Sequence, residues 1–393
     1  MLVIPQLAIR NLFGAGLRTW LNVFVLSVSF VAIIWTQGIY KGMQEQAVQA
    51  MVEAEVGGGQ YWQANYDPYD PLTLKDAHAP IPAPLQNLIA QDQATSILIT
   101  QGSIYPGGRL RTVVLKGIDP AQSILSVPAS FLKTATADEA LPALIGNRMA
   151  ESSGLKVGDF VTVRWRDANG SFDATEAQIV QVMRTTVQTI DQGQLWVPLE
   201  RLQQMTGLTN QATLIVLGQQ TQPIEKTTGW DFKDLDFLLQ DLEAMVQSKS
   251  IGASIMYSLL LFLAMLAIFN TQILSIFRRR KEMGTLMALG MTRGKVIQLF
   301  TLEGALHCVG AVIIAAIYGI PLLVYFTRNG LGFPQAVDSY GFALGEKIFP
   351  IYSAGLVGGT TLLIFIMTTI VSYLPTRKIA QLKPTDALRG KLT

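Results

Sequence analysis

Residues 278–304 read RRRKEMGTLMALGMTRGKVIQLFTLEG and join one long apolar run to the next. They hold six cations, Arg278, Arg279, Arg280, Lys281, Arg293 and Lys295, against Glu282 and, at the far edge, Glu303. Lys and Arg crowded beside an apolar span mark the cytoplasmic side, because positive residues resist translocation. A topogenic anchor accounts for the charges. It does not account for the middle, residues 283–289, which are small and apolar with a helical look and are closed by Gly290. A short helix there, with Leu286 and Leu289 on one face, would lie along the membrane surface. It would present an apolar knob (Met283, Leu286, Leu289) to a soluble partner.

The flanking runs set the architecture. Residues 251–277 carry no charge before the basic stretch, and residues 302–326 follow it. Ala311, Ala315 and Gly319 recur there every fourth residue, a small-residue stripe that lets membrane helices approach closely. Pro321 interrupts the same run. Residues 349–374 form a further span with Gly355 and Gly359 in GxxxG spacing, ended by Pro375. Near the start, residues 20–40 are uncharged with aromatics at both edges, and as a helix they reach roughly 30 Å, a bilayer core. A cleavable signal peptide is the alternative, but the run is long for one and no small-residue cleavage site follows.

Between the first and second spans lies a different composition. Residues 41–250 carry 15 Lys/Arg against 23 Asp/Glu, and the remainder 15 against 5. An acidic exported domain held by helices with basic cytoplasmic ends fits that split, and a nucleic-acid binder does not. Short β-rich runs at 96–100, 112–116, 160–165, 178–183, 195–198 and 213–217 are cut by Gly, Pro and Asp, with helical patches at 83–91 and 200–206. Helical stalks flank this domain. The first, 41–56, follows Met43, Ala47, Ala50, Met51 and Ala54 to the break at Gly57, Gly58 and Gly59; the second, 231–250, follows Leu235, Leu238, Leu239, Leu242, Met245 and Val246.

The expected protein is therefore α-helical and membrane-embedded, with four transmembrane helices (1+3) and a large α+β extracytoplasmic domain between helices 1 and 2. Its segments are a cytoplasmic amphipathic lead (1–19, with Ile4, Leu7, Ala8 and Leu12 at helical spacing), helix 1 (20–40) and the domain with its stalks (41–250). Helix 2 (251–277), a cytoplasmic loop (278–301), helix 3 (302–326), an outer loop (327–348), helix 4 (349–374) and a cytoplasmic tail (375–393) follow.

The order of Arg280, Glu282, Gly284, Leu286, Ala288, Leu289, Gly290, Phe300, Glu303 and Gly304 resembles the FtsX-like permeases of ABC transporters. That group contains lipoprotein-releasing permeases and macrolide-exporter-like proteins. Three other stretches are similar to the same family. The lead LAIRNLFGAGLRTWLN resembles its start. LIGNRMAESSGLKVGDFVTVRW (144–165), followed by AQIVQVM and LWVPLERLQQMTGL, is similar to its extracytoplasmic domain. The tail PTRKIAQLKPTDALRG resembles its terminal motif through Pro375, Arg377, Ala380, Leu382, Pro384, Ala387, Leu388 and Arg389.

The resemblance implies that Glu282, Met283, Gly284, Leu286, Ala288, Leu289 and Gly290 seat a separate ATPase dimer, which binds ATP and Mg, while this chain binds no cofactor. Met43, Ala47, Met51, Leu235, Leu239 and Leu242 would pass its movement outward. Implied partners are a second permease copy or paralogue, membrane lipids, and a lipoprotein, membrane-fusion protein or outer-membrane partner. The implied place is the bacterial inner membrane, multi-pass, with both termini cytoplasmic, and the implied outcomes are lipoprotein release or extrusion of a substrate from the outer face.

The residues themselves leave other classes open. No G-x-x-x-x-G-K-[ST] occurs, so the chain has no P-loop. No nucleophile–His–carboxylate arrangement is evident. The single Cys308 lies in an apolar run, and His78 and His307 stand far apart, outside any metal-ligand spacing. A membrane-tethered binding or sensory protein and, weakest, a membrane enzyme remain beside the permease; the resemblance adds an FtsX-like regulator of cell-wall hydrolases.

Overall fold

Helix α1 (Leu17–Met51) is continuous over 35 residues, because the uncharged run passes without a breaker into the stripe of Met43, Ala47 and Ala50. It loosens into a π-helical turn at Val52–Val56 and stops at Gly57, whose φ is +64°. A Cβ on Gly57 or Gly58 would sit 2.4 or 2.3 Å from the carbonyl oxygens of Leu217 and Gly218. Only glycine fits there. The computed structural model describes residues 5–8, 10, 16–133, 140–185, 187–224, 227–332 and 347–380. They form two compact units, one within Met1–Gln44, Val246–Gly332 and Lys347–Thr393, the other within Glu45–Met245.

The second unit is built on strands β1 (Gln60–Gln63), β2 (Ala79–Pro80), β3 (Ala94–Ile104), β4 (Arg111–Ile118), β5 (Leu141–Gly146) and β6 (Phe160–Arg166). β7 (Phe172–Met183), β8 (Gln194–Pro198), β9 (Gln211–Ala212), β10 (Leu214–Leu217) and β11 (Trp230–Lys233) complete it. Nine of them form one sheet in the order β11-β1-β10-β3-β4-β8-β5-β7-β6, and β3 also pairs with β6. That pairing closes six strands into a barrel. All six send alternate residues into one core, among them Leu98, Val113, Leu141, Val163, Ile179 and Leu195. The intervening Ile97, Ile99, Ile118, Leu144 and Trp196 join Val216 and Ala54 in a second core on the outside. Closure pairs the edge that β6 would otherwise expose, and β11 remains the terminal strand. Helices α2 (Ala83–Ala90), α3 (Asn147–Ser153), α4 (Gln188–Gly193) and α5 (Leu199–Thr206) lie among the strands, and Gly154 and Gly207 end α3 and α5 in the left-handed conformation.

The second stalk starts later than expected. Residues 231–233 belong to β11, which pairs with β1, and helix α6 (Leu235–Arg278) begins after Asp234, whose Oδ1 accepts the Phe237 N–H at 2.9 Å. Pairing decides this: Trp230 is buried, and Phe232 stacks at 5.1 Å on Tyr61, a contact that a helix could not make.

Helices α7 (Arg280–Ala288), α8 (Arg293–Asn329) and α9 (Ala354–Ala380) belong to the first unit. Helix 3 thus runs from Arg293, nine residues before the expected start, and holds Pro321 inside it. Three described helical stretches, Val23–Val56, Arg293–Asn329 and Ala354–Arg377, are long and apolar enough to cross a membrane. In α6 the described residues give a shorter apolar stretch, Ser254–Leu263. The expected features at 333–346 and 381–393, with Ile4 and Leu12, lie outside the described residues.

The two small-residue stripes differ. Ala311 and Ala315 are buried in a core with Val23, Leu26, Phe30, Val31 and Ile34 of α1 and Ile364 of α9, and Cys308 lies in the same core. A Cβ on Gly319 would come within 2.7 Å of Val31 Cγ2. Gly355 and Gly359 instead face outward, with no atom within 4 Å of an added Cβ. Of the residues expected to pack helices, Gly319 thus meets a neighbour in this chain and Gly355 and Gly359 do not. Gly319→Leu should therefore destabilise the purified chain by about 1–3 kcal/mol, read as a lower melting temperature in detergent, whereas Gly359→Leu should leave the melting temperature unchanged.

Candidate functional site

The basic stretch folds into a short, well-terminated helix. Helix α7 ends in a Schellman motif: the Met291 N–H donates to the Leu286 carbonyl at 3.0 Å and the Gly290 N–H to that of Met287 at 3.1 Å. Gly290 takes φ +96°, which an L side chain rarely adopts. Thr292 then opens α8. The turn is therefore one residue deep in conformational choice, and glycine supplies it.

One face of α7 is committed to its own chain. Met283 is 2% exposed and lies in a core with Val296, Leu299, Phe300 and Ala8; Leu286, Met287 and Leu7 pack against it. The lead helix, expected to lie on the inner leaflet, thus gives Leu7 and Ala8 to this core. Gly284 is buried as well. The opposite face carries Glu282, Thr285 and Ala288, all exposed, and continues into Leu289, which is 80% exposed. The knob of Met283, Leu286 and Leu289 is accordingly split. Met283 and Leu286, three residues apart, share the inner side of the helix, whereas Leu289 sits at its C-terminus after the last helical residue.

Arg279 holds the element in place. Its Nη1 donates to both carboxylate oxygens of Glu303 at 2.9 and 3.0 Å, and its Nε to Glu282 at 2.7 Å. The guanidinium also lies 5.0 Å from the centre of the Phe300 ring. Burial works against this charge, but the two carboxylates more than offset it, so the pKa of Arg279 rises above the ordinary arginine value. Glu282, expected at the ATPase seat, pairs with this neighbouring cation while its side chain remains 61% exposed, and Arg279 is more than one charge in an anchoring run. Sequence inspection missed the pair because Arg279 stands among three like-charged neighbours and its partner lies 24 residues on.

The remaining expected residues are less convergent. Met43, Ala47, Met51, Leu235 and Leu242 are half-buried, and Leu239 is 7% exposed. His307 is buried, its Nδ1 2.7 Å from the Glu303 carbonyl, and His78 is held between Gln211 and the Lys75 carbonyl. Among the described residues, no group of three or more His, Cys, Asp or Glu is placed to hold a metal ion.

Arg279→Gln removes the guanidinium that faces Glu303, whose side chain is 5% exposed. Breaking a buried pair on one side is costly; with Arg279 itself partly solvated, the expected loss is on the order of 2–3 kcal/mol. It should appear as faster proteolytic cleavage of residues 278–292 in the purified chain, with membrane insertion unchanged.

Comparison with known proteins locates this element within a family. Residues 254–384 match the model described as FtsX-like permease C-terminal. The chain is similar to the macrolide export ATP-binding/permease protein MacB of Chromobacterium violaceum, at 25% identity over 159 residues, which cover 39% of this chain and 22% of that one. It is also similar to MacB 1 of Yersinia pseudotuberculosis, at 28% identity with the same coverage of both chains. An uncharacterized ABC transporter permease of Methanocaldococcus jannaschii is 25% identical over 179 residues, 44% of this chain and 42% of that one. The matched stretches thus span less than half the length of these relatives. Among solved structures, the extracellular domain of the noncanonic ABC-type transporter YknZ from Gram-positive bacteria matches with a TM-score of 0.27 and 17% identity, covering 47% of this chain and 94% of that one. From residue 254 to residue 384 the chain resembles the FtsX-like permease C-terminal domain, and it is similar to ABC-transporter permeases.

Proposed function

We propose that this chain is the membrane subunit of an ABC transporter and couples a separate ATPase to a domain outside the membrane. The observation that carries the reading is the two-sided α7. One side is bonded into its own chain through Met283 and Arg279, and the other offers Glu282, Thr285, Ala288 and Leu289 to a partner. A motor needs such an element: stiff enough to transmit force, and exposed enough to be gripped. The motor would be an ATPase dimer holding ATP and Mg, as the names of the MacB relatives join an ATP-binding part to a permease.

In this reading α6 contributes the second of four spans in a 1+3 layout, both termini face the cytoplasm, and the acidic sheet unit lies outside the inner membrane. The charge split between residues 41–250 and the rest supports that orientation. A second permease copy or paralogue completes the transporter, and the outward Gly355 and Gly359 are open to it. Lipoprotein release, or extrusion of a substrate from the outer face, is the activity proposed.

Leu289 is the residue to test. An interface anchor commonly contributes about 2 kcal/mol or more, so Leu289→Asp should weaken ATPase binding by roughly 30-fold. Copurification of the ATPase should fall and stimulated hydrolysis should be lost, with the melting temperature of the permease unchanged. Met283→Asp should instead lower that melting temperature. An unchanged, fully stimulated complex with Leu289→Asp would return the loop to a topogenic anchor. Independently, a cysteine at Gly170 should be labelled by an impermeant maleimide from outside and one at Lys281 only after permeabilisation; labelling of Gly170 from the cytoplasm alone would end the permease reading.

A further inference from the structure

The sheet unit contains a cleft of about 430 Å³ where β3 changes neighbours. β3 pairs with β10 through residues 94–97 and with β6 through residues 102–104, so residues 98–101 lie between two diverging strands. The turn Pro71–Lys75 borders the opening. On β6, Val161, Val163 and Trp165 point into the barrel, which leaves Arg164 and Arg166 on the outer face. Ser103 stands opposite both Thr112 and Arg164 in register, and Gln101 lies on the same side of β3.

The charges here run against their surroundings. Within an acidic segment, Lys75, Arg164 and Arg166 line one cleft, and none of the three forms an ion pair among the described residues. Arg164 and Arg166 lie 4.2 and 5.9 Å from the centre of the Phe172 ring, and the Arg166 Nε donates to the Gly170 carbonyl at 2.9 Å. Both guanidinium groups are thus held beside one aromatic ring, on the outer face of β6. Among the described residues the one carboxylate lining the cleft is Asp167, whose Oδ1 already accepts the Ser171 N–H at 2.7 Å in the β6–β7 turn. At the lip, Phe172 is 64% and Leu72 83% exposed, so apolar surface waits beside the cations.

We propose that this cleft binds a small organic anion with an apolar or aromatic body, its carboxylate or phosphate on Arg164 and Arg166 and its body against Phe172 and Leu72. Guanidinium forks match both head groups in bidentate geometry and are weakly hydrated, so they release water readily to an anion. Ser103, Thr112 and Gln101 supply neutral hydrogen-bond partners beside them. The volume suits a compact molecule. The proposal rests on the sheet unit alone and stands or falls separately from the ATPase coupling.

The test is isothermal titration of the full chain in phosphatidylcholine nanodiscs with 2-naphthoate, 2-naphthyl phosphate and uncharged 2-naphthamide. At least one anion should bind with one-to-one stoichiometry, and the two arms identify which head group is preferred. Affinity should fall tenfold or more in Arg164→Gln/Arg166→Gln and with added salt, and the amide should bind at least tenfold more weakly. Thermal unfolding checks that the double variant is folded. Should it not fold, Lys75→Met on the exposed turn gives a second reading, with a loss of threefold or more expected. Three results would overturn the proposal: no binding of either anion up to millimolar concentration, as when an acidic protein is the sole occupant; equal binding by the folded variant; or equal binding of the amide.

Discussion

A single guanidinium organises the basic end of the helical unit. Glu303 is buried in α8, and a buried carboxylate without a partner is among the most costly groups a protein can contain. Arg279 answers it with two hydrogen bonds while a third goes to Glu282 and its face lies over Phe300. A lysine would fit this arrangement less well, because its ammonium is a point charge without a planar fork. Arg279 also sits at the joint between α6 and α7, so the pair ties the end of one long helix to the first turns of another. The position of α7, and hence of everything it displays, follows from that tie.

Around the tie, the described side chains of α7 face one of two ways. Met283, Leu286 and Met287 fill the space above Val296, Leu299 and Phe300, with Leu7 and Ala8 closing the core. What remains outside is short and mixed: a carboxylate already neutralised, small residues, one exposed leucine and the cations Arg293 and Lys295 beyond the turn. Such a surface has enough apolar area for an anchor and enough charge for orientation. The sheet unit solves a separate problem. It closes its own barrel through the β3–β6 pairing, with Met149 and Ala150 of α3 and Leu202 of α5 completing the core.

Much of this was legible in the sequence, and the failures share a cause. Local signals held in part: the uncharged run 20–40 became helix, Gly57 and Gly290 ended the segments they follow, and the β-rich runs at 96–100, 112–116 and 160–165 lie within β3, β4 and β6. The run at 349–374, however, is helical only from Ala354, and its helix passes Pro375 to Ala380. The family resemblance carried by residues 280–304 is matched by the FtsX-like domain. Long-range partners were not legible. The leucine period from Leu235 could not reveal that Asp231–Lys233 are claimed by β1, and helical spacing alone placed Leu289 beside Leu286 when the helix ends between them. Gly319 and Gly359 look alike in sequence, and only one has a neighbour. The β3–β6 closure and the cleft beside it arise from two strands about sixty residues apart, a separation at which no pattern signal survives.

The central claim is that α7 is anchored by one face and gripped by the other. Site-specific photocrosslinking in cells reads both faces directly, with a benzophenone amino acid at Leu289 or, in a second strain, at Met283. The account predicts an adduct from Leu289 whose mass-spectrometric sequence contains a Walker-type ATP-binding motif, and from Met283 only adducts within the permease chain. An ATPase adduct from Met283 with none from Leu289 would contradict it.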